Sequence, residues 1–164
     1  MPVTPLHFGP ALLIALLVYP SGSVIAFAAG SVAPDAEHAV HLLIGQPVTH
    51  RELHNIAGAL AIGALTAALV WLFRGPLMKL QQIALIPQEY TPAGVAASAI
   101  LGALSHVILD AFLYPELPLL WPFTGNPLLG IIPEDHVYAL CITTFPVVIF
   151  LYAYMVTIPR WKKR

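Results

Sequence analysis

Residues 92–113 read PAGVAASAILGALSHVILDAFL, and this stretch decides the fold class of the chain. It carries no charged residue before Asp110, near its end. About 20 apolar residues in a helix are enough to cross the hydrocarbon core of a bilayer. A charged side chain inside such a helix costs about 2.5–3.5 kcal/mol on insertion scales and by default marks a functional site. The stretch therefore predicts a membrane-spanning helix and a site near its end.

The whole composition agrees with a membrane protein. Of the 164 residues, 59% are hydrophobic and 9% are charged, whereas about 25% are charged in an ordinary soluble domain. Residues 55–73 and 137–158 are also long, apolar and without charge. We predict an all-α, polytopic membrane helix bundle, a single domain over residues 1–164 with transmembrane helices at 55–73, 92–113 and 137–158. The formal net charge of −1 gives no reason to expect a nucleic-acid partner.

Two flanking regions are amphipathic or too short to be clear spans. Residues 8–19 and 24–33 are apolar and are separated by Pro-Ser-Gly-Ser, a strong turn signal. We predict that residues 1–34 form a helical hairpin that dips into or just spans the membrane and brings His7 and Asp35 to the same level. Residues 75–91 alternate apolar side chains with Lys79 and glutamines, which predicts a helix in the headgroup region.

Basic residues indicate the orientation. Four of them close the chain, at residues 160–164, and Arg74 and Lys79 follow the first predicted span. Lys and Arg in short loops favour the cytoplasmic side, and a cytoplasmic C-terminus also places Arg74 and Lys79 there. The start of the 55–73 helix and the end of the 92–113 helix then face outward, so the site is expected on the extracytoplasmic side of the cell membrane.

Histidines and carboxylates concentrate at this outer end with metal-ligand spacing. His50 and His54 are four residues apart, as are His106 and Asp110, so each pair would share one face of a helix. Imidazole and carboxylate suit zinc, and also iron or manganese, whereas the single cysteine rules out a thiolate cage. A divalent metal, zinc first, is the expected cofactor.

Carboxylates and further histidines lie at the exit of the hairpin. Asp35 and Glu37 are the predicted catalytic residues, one as a ligand and the other as a general base on bound water. His38, His41 and His136 are weaker candidates, because a histidine at a membrane surface is usually only solvated.

The chain resembles a family of inner-membrane-associated proteins identified as metal-dependent hydrolases, the YdjM-like, LexA-binding family. The resemblance rests on five short motifs in the family's order: TPLHFG at 4–9, PDAE at 34–37, HR at 50–51 with His54, GALSH at 102–106 with Asp110, and LWPF at 120–123. It implies that the metal ligands are His7, Asp35, His50, His54, His106 and Asp110. The chain has Asn55 and Glu37 where the family often has a small hydroxyl residue and an aspartate.

Three functions remain open at this level. A metal-dependent hydrolase of a lipid phosphoester or related membrane substrate is preferred, because metal-bound water is a strong nucleophile at neutral pH. A lipid amide hydrolase or a di-iron membrane oxygenase is an alternative enzyme. The third interpretation is a non-enzymatic protein that handles metal or binds a partner. Membrane lipids are the expected surroundings in all three, and the sequence does not determine the oligomeric state.

Overall fold

The chain folds into helices throughout the part that the computed structural model describes, residues 4–47 and 52–158. Within those ranges there is no strand, and the prediction of an all-α fold is confirmed. The elements are two short 3-10 helices, Thr4–His7 and Ala33–Asp35, and seven α-helices: α1 Phe8–Leu17, α2 Val24–Gly30, α3 Ala36–Leu43, α4 Ile56–Leu72, α5 Arg74–Ile83, α6 Pro92–Ala111 and α7 Glu134–Thr157.

Helix α6 is the centre of the bundle, with α4 and α2 packed on it. Small residues allow these close approaches, as expected where helices pack without a hydrophobic driving force. A Cβ added at Gly102 would lie 2.2 Å from the backbone oxygen of Phe27 on α2, and one at Gly63 would lie 2.8 Å from the Cα of Ile100. The backbones of α2, α4 and α6 therefore touch almost directly.

Helix α7 lies at the periphery and presents apolar side chains outward. Only 17% of its best 18-residue window is buried inside the chain, against 39% for α6. Ile142, Ile149 and Phe150 are among its exposed side chains. An apolar surface of this kind is expected where lipid is the solvent.

The structure corrects the prediction of three clear spans. Helices α6 and α7 are each long and apolar enough to cross a membrane, but α4 has only 17 residues and is followed by α5 after a bend of 79°. The break fits Pro76, which has no N–H to donate to the carbonyl of Leu72 and whose ring would clash with it in a continuous helix. Residues 4–47 and 52–158 thus contain two candidate spans, or three if α4 and α5 count as one bent span.

The predicted flanking helices form, with shifted ends. Helices α1 and α2 are joined by a turn at residues 18–23 and pack on each other, with Ser23 capping α2 by accepting a hydrogen bond from the N–H of Ala26. The predicted helix at 75–91 ends at Ile83, and Leu85 has a φ of 58°. The helix α3 was not predicted from the sequence.

The bundle has two distinct ends. Helix α4 begins and α6 finishes at one end, where the N–H of Ile56 donates to the carbonyl of Leu119 in the segment after α6. At the other end Tyr152, near the end of α7, donates to the carbonyl of Ala84 after α5. Arg74 also lies at the far end, with its guanidinium 4.4 Å from the Trp71 ring centroid. The metal-ligand candidates and the basic residues described thus occupy opposite ends.

Candidate metal centre

The last turns of α6 supply two of the site's side chains. His106 and Asp110 are one helical turn apart, and the Nε2 of His106 lies 3.1 Å from an Oδ2 of Asp110. Both residues are almost completely buried, at 1% and 2% exposure. The (i, i+4) spacing read from the sequence therefore produces the expected shared face.

Two further donors come from segments distant in sequence. His54 directly precedes α4, where Asn55 caps the helix by accepting a hydrogen bond from the N–H of Gly58. Asp35 ends the second 3-10 helix. The Nε2 of His54 lies 3.5 Å from Asp35 Oδ1 and 3.5 Å from Asp110 Oδ2, and His106 Nε2 lies 3.4 Å from the same Asp35 oxygen.

Sets of three converging donors fit a shared cation. Donors that bind one ion at about 2.0–2.2 Å stand about 3.3–3.6 Å apart in a tetrahedral arrangement, and the Nε2 atoms of His54 and His106 lie 3.5 and 3.4 Å from Asp35 Oδ1, within one such set. Two imidazoles with two carboxylates form a donor set that zinc, iron and manganese accept. The residues present therefore fit a divalent metal.

Backbone and carboxylate groups behind the imidazoles set their orientation. The Nδ1 of His106 lies 2.7 Å from the carbonyl oxygen of Ser31, which can only accept. This contact places the ring proton on Nδ1 and leaves the Nε2 lone pair facing the other donors. On His54, the Nδ1 lies 3.4 Å from an oxygen of Glu37, and the same oxygen accepts the backbone N–H of Leu53.

His7 joins the cluster from the start of the chain. Its Nε2 lies 3.3 Å from Asp110 Oδ1, the carboxylate oxygen that does not face His54 and His106. Its ring centroid lies 4.3 Å from that of His106. His7, His106 and Asp110 form one set of converging donors, and Asp35, His54 and His106 form another.

The carboxylates also set the protonation of His54. Burial by itself would lower the pKa of this imidazole, but the neighbouring Asp35 and Glu37 carboxylates outweigh burial and raise the pKa above its ordinary value. The cluster therefore favours positive charge at this position, which is the property expected of a cation site.

The weaker histidine candidates have different positions. His38 stacks on His54 with ring centroids 4.8 Å apart, and its Nδ1 lies 3.1 Å from Asp35. His41 contacts only the edge of the site, 3.8 Å from the exposed Glu52. His136 is exposed at the start of α7 and pairs with its neighbour Asp135.

The structure thus brings together nearly all of the site predicted from the sequence. His7, Asp35, Glu37, His54, His106 and Asp110 are adjacent, whereas His50 and Arg51 lie outside the described residues. The carbonyl of Ser31 was missed, because a backbone contact leaves no signal in residue type. The contact between Glu37 and the outer nitrogen of His54 was also missed, because it depends on how α3 lies against the segment before α4.

The comparison with protein families supports the resemblance found in the sequence. The family model described as YdjM inner membrane protein matches residues 1–163. No curated protein and no solved structure matches the chain. A match over nearly the entire chain, together with helices apolar enough to cross a membrane, identifies a membrane protein that belongs to the YdjM inner membrane protein family.

Proposed function

We propose that the chain is a membrane-bound, metal-dependent hydrolase that acts on a lipid phosphoester or a related ester of the membrane. The observation that carries this proposal is the convergence of two imidazole nitrogens and two carboxylate oxygens at 3.1–3.5 Å in a buried cluster. Buried ionisable groups are costly unless they pair or bind a metal. Their concentration at one point therefore supports a metal site.

The residues divide into ligands, a base and positioning groups. His54, His106 and Asp110 are the least exposed and would hold the ion, with His7 on the second oxygen of Asp110. A divalent ion held there would polarise the oxygen of the substrate and lower the pKa of a bound water to about 7. Asp35 has the most exposed carboxylate of the cluster, with 12% of its side chain accessible against 2% for Asp110. Asp35 would therefore act both as a donor to the ion, through the Oδ1 that faces the two imidazoles, and as the better placed of the two predicted catalytic residues to accept a proton.

Glu37 suits a positioning role better than that of a base. Its carboxylate contacts the Nδ1 of His54, on the opposite side of the ring from the nitrogen that faces Asp35 and Asp110. A carboxylate behind a metal-bound histidine fixes the ring and increases its basicity. We propose that Glu37 acts through His54.

The position of the cluster favours a lipid substrate over transport. It lies at the ends of α4 and α6, whereas transporters place their sites near the bilayer midplane. A site at the end of membrane helices meets lipid ester bonds without extraction of the lipid. The basic residues Arg74 and Lys79 at the opposite end support an extracytoplasmic site and a cytoplasmic C-terminus.

Metal analysis tests this function with a matched control. Protein purified in detergent should contain about one or two equivalents of zinc, and His54→Ala and His106→Ala should each lose most of it. His136→Ala removes an exposed histidine and should keep the metal. Equal metal content in all four proteins would contradict the site.

A hydrolysis panel then separates the enzymatic alternatives. Release of phosphate-containing or acyl products from phospholipid by the wild type, lost in His106→Ala, supports the proposed reaction. Cleavage of lipid amides alone would indicate the amide hydrolase, and iron as the copurifying metal would indicate an oxygenase. Bound metal without turnover on any lipid would favour a metal-handling protein.

A further inference from the structure

An apolar groove reaches the metal cluster from the side of the bundle. It has a volume of about 750 Å³ and lies between α1, α2 and residues 32–39. Phe8, Ile25 and Val32 line it together with five alanines, among them Ala39. The small alanine side chains produce a concavity, and its volume is within the range of about 300–1,000 Å³ that is typical of small-molecule sites.

Among the described residues that line the groove, Asp35 is the only ionisable one, and it belongs to the cluster. The Oδ1 of Asp35 lies 3.4 Å from His106 and 3.5 Å from His54. The groove is therefore lined mainly by apolar side chains and includes the carboxylate through which the cluster is most accessible. A ligand that fits both features has an apolar tail and a polar group at one end.

A second apolar groove provides a comparison. It has a similar volume, about 780 Å³, and lies against α7, where Phe145, Ile149 and Ala153 contribute to it. The described residues that line it include no ionisable side chain and no member of the cluster. A lipid in this second groove would be held no differently from the surrounding bilayer, because the described lining offers no charged side chain to position its headgroup.

We infer that the first groove binds one acyl chain of a membrane lipid and so places the adjoining ester or phosphoester group beside the cluster, at the level of Asp35. This inference rests on the proposed function in one respect: it takes a membrane lipid to be the substrate. Lipid tails are as apolar as the groove, so moving a chain from the bilayer into it gains little free energy. The groove would instead select and orient the substrate by shape, since a groove lined by alanines accepts an unbranched chain.

Photo-crosslinking tests occupancy without requiring turnover. The protein is reconstituted into phosphatidylethanolamine and phosphatidylglycerol vesicles that contain a phospholipid with a diazirine on one acyl chain, with chelator added to prevent hydrolysis. After illumination, labelled peptides are mapped by mass spectrometry. We expect labels on α2 and α3 around the first groove to exceed those on α7 around the second. Equal labelling of the two grooves would overturn the inference.

Filling each groove provides the matched variants. Ala39→Phe adds a ring to the first groove from an exposed position on α3, and Ala153→Phe does the same in the second. Because a ring and an acyl chain cannot occupy the same close-packed volume, Ala39→Phe should reduce labelling of the first groove by about tenfold. Ala153→Phe should not reduce it, and unchanged labelling in Ala39→Phe would contradict the proposal. Ala28→Phe, on α2, repeats the test from the other wall.

Bound metal distinguishes the possible failures. Ala39→Phe should retain wild-type metal content, which shows that the fold is intact. If metal and hydrolysis are found but labelling is not localised, the inference that the groove binds an acyl chain is wrong and the proposed function stands. If labelling is localised but no metal or hydrolysis is found, the groove stands and the proposed function fails.

Discussion

Replacing Glu37 by glutamine tests whether this carboxylate positions His54. One oxygen of Glu37 faces both the Nδ1 of His54 and the N–H of Leu53. The amide oxygen of glutamine can take its place and accept from both, so the variant loses the charge and little of the shape. A hydrogen bond to a charged group contributes about 1.5–3 kcal/mol and a neutral one about 0.5–1.5 kcal/mol. The difference, about 1–1.5 kcal/mol, corresponds to a five- to twelve-fold weaker affinity for zinc.

Glu37→Ala should have a larger effect. It leaves the N–H of Leu53 and the Nδ1 of His54 buried without this acceptor, and each such loss costs about 1–3 kcal/mol. We therefore expect a lower thermal stability as well as weaker metal binding. The matched control is Glu52→Gln, because the side chain of Glu52 is 66% exposed and lies 3.8 Å from His41, at the edge of the site. It should leave zinc affinity unchanged.

The assay is competition between the detergent-solubilised protein and a chromophoric zinc chelator, with turnover measured in parallel. A positioning role predicts that Glu37→Gln weakens zinc binding and that added zinc restores much of the activity. A base that takes the proton directly predicts wild-type affinity and activity that zinc does not restore. Wild-type affinity in Glu37→Gln would refute the positioning role.

Three other predictions concern packing, protonation and orientation. Gly102→Ala should lower the stability in detergent by about 1–3 kcal/mol, because its Cβ would meet the backbone of α2. Gly75→Ala is the control and should leave the stability unchanged, because nothing lies within 4 Å of its Cβ. Equal melting temperatures for the two variants would contradict the close packing. Zinc affinity should rise with pH, because the raised pKa of His54 means that the ion displaces a proton. Zinc titration at several pH values, with proton release measured, tests this. An affinity independent of pH would count against it. With the native cysteine changed to alanine, His136→Cys should react with an impermeant maleimide in intact cells and Lys79→Cys only after lysis, and the reverse pattern would place the site on the cytoplasmic side.

The sequence alone was sufficient for the class of fold and for the pair His106 and Asp110 within α6. The other predicted pair does not share a helix, because His54 precedes the N-cap of α4, and His50 lies outside the described residues. Long apolar stretches require a lipid solvent, and the spacing of His106 and Asp110 places both on one face, because helical periodicity is a local property. Helix breaks were harder to locate. Pro76 marks the bend after α4 in retrospect, but a proline near the end of an apolar run also fits a simple loop.

Only the tertiary structure decided how separate segments meet. The pairing of Asp35 with His106 depends on the close packing of α2 against α6, which Gly30 and Gly102 allow. His7 reaches Asp110 from a different segment, the short helix that precedes α1. The carbonyl of Ser31 is chemically the same as every other backbone carbonyl, so only its position identifies its role. Residue type and spacing encode local chemistry, whereas convergence in space arises from the packing of the whole chain. For this physical reason the residues of the cluster could be named from the sequence, and the contacts that support them could not.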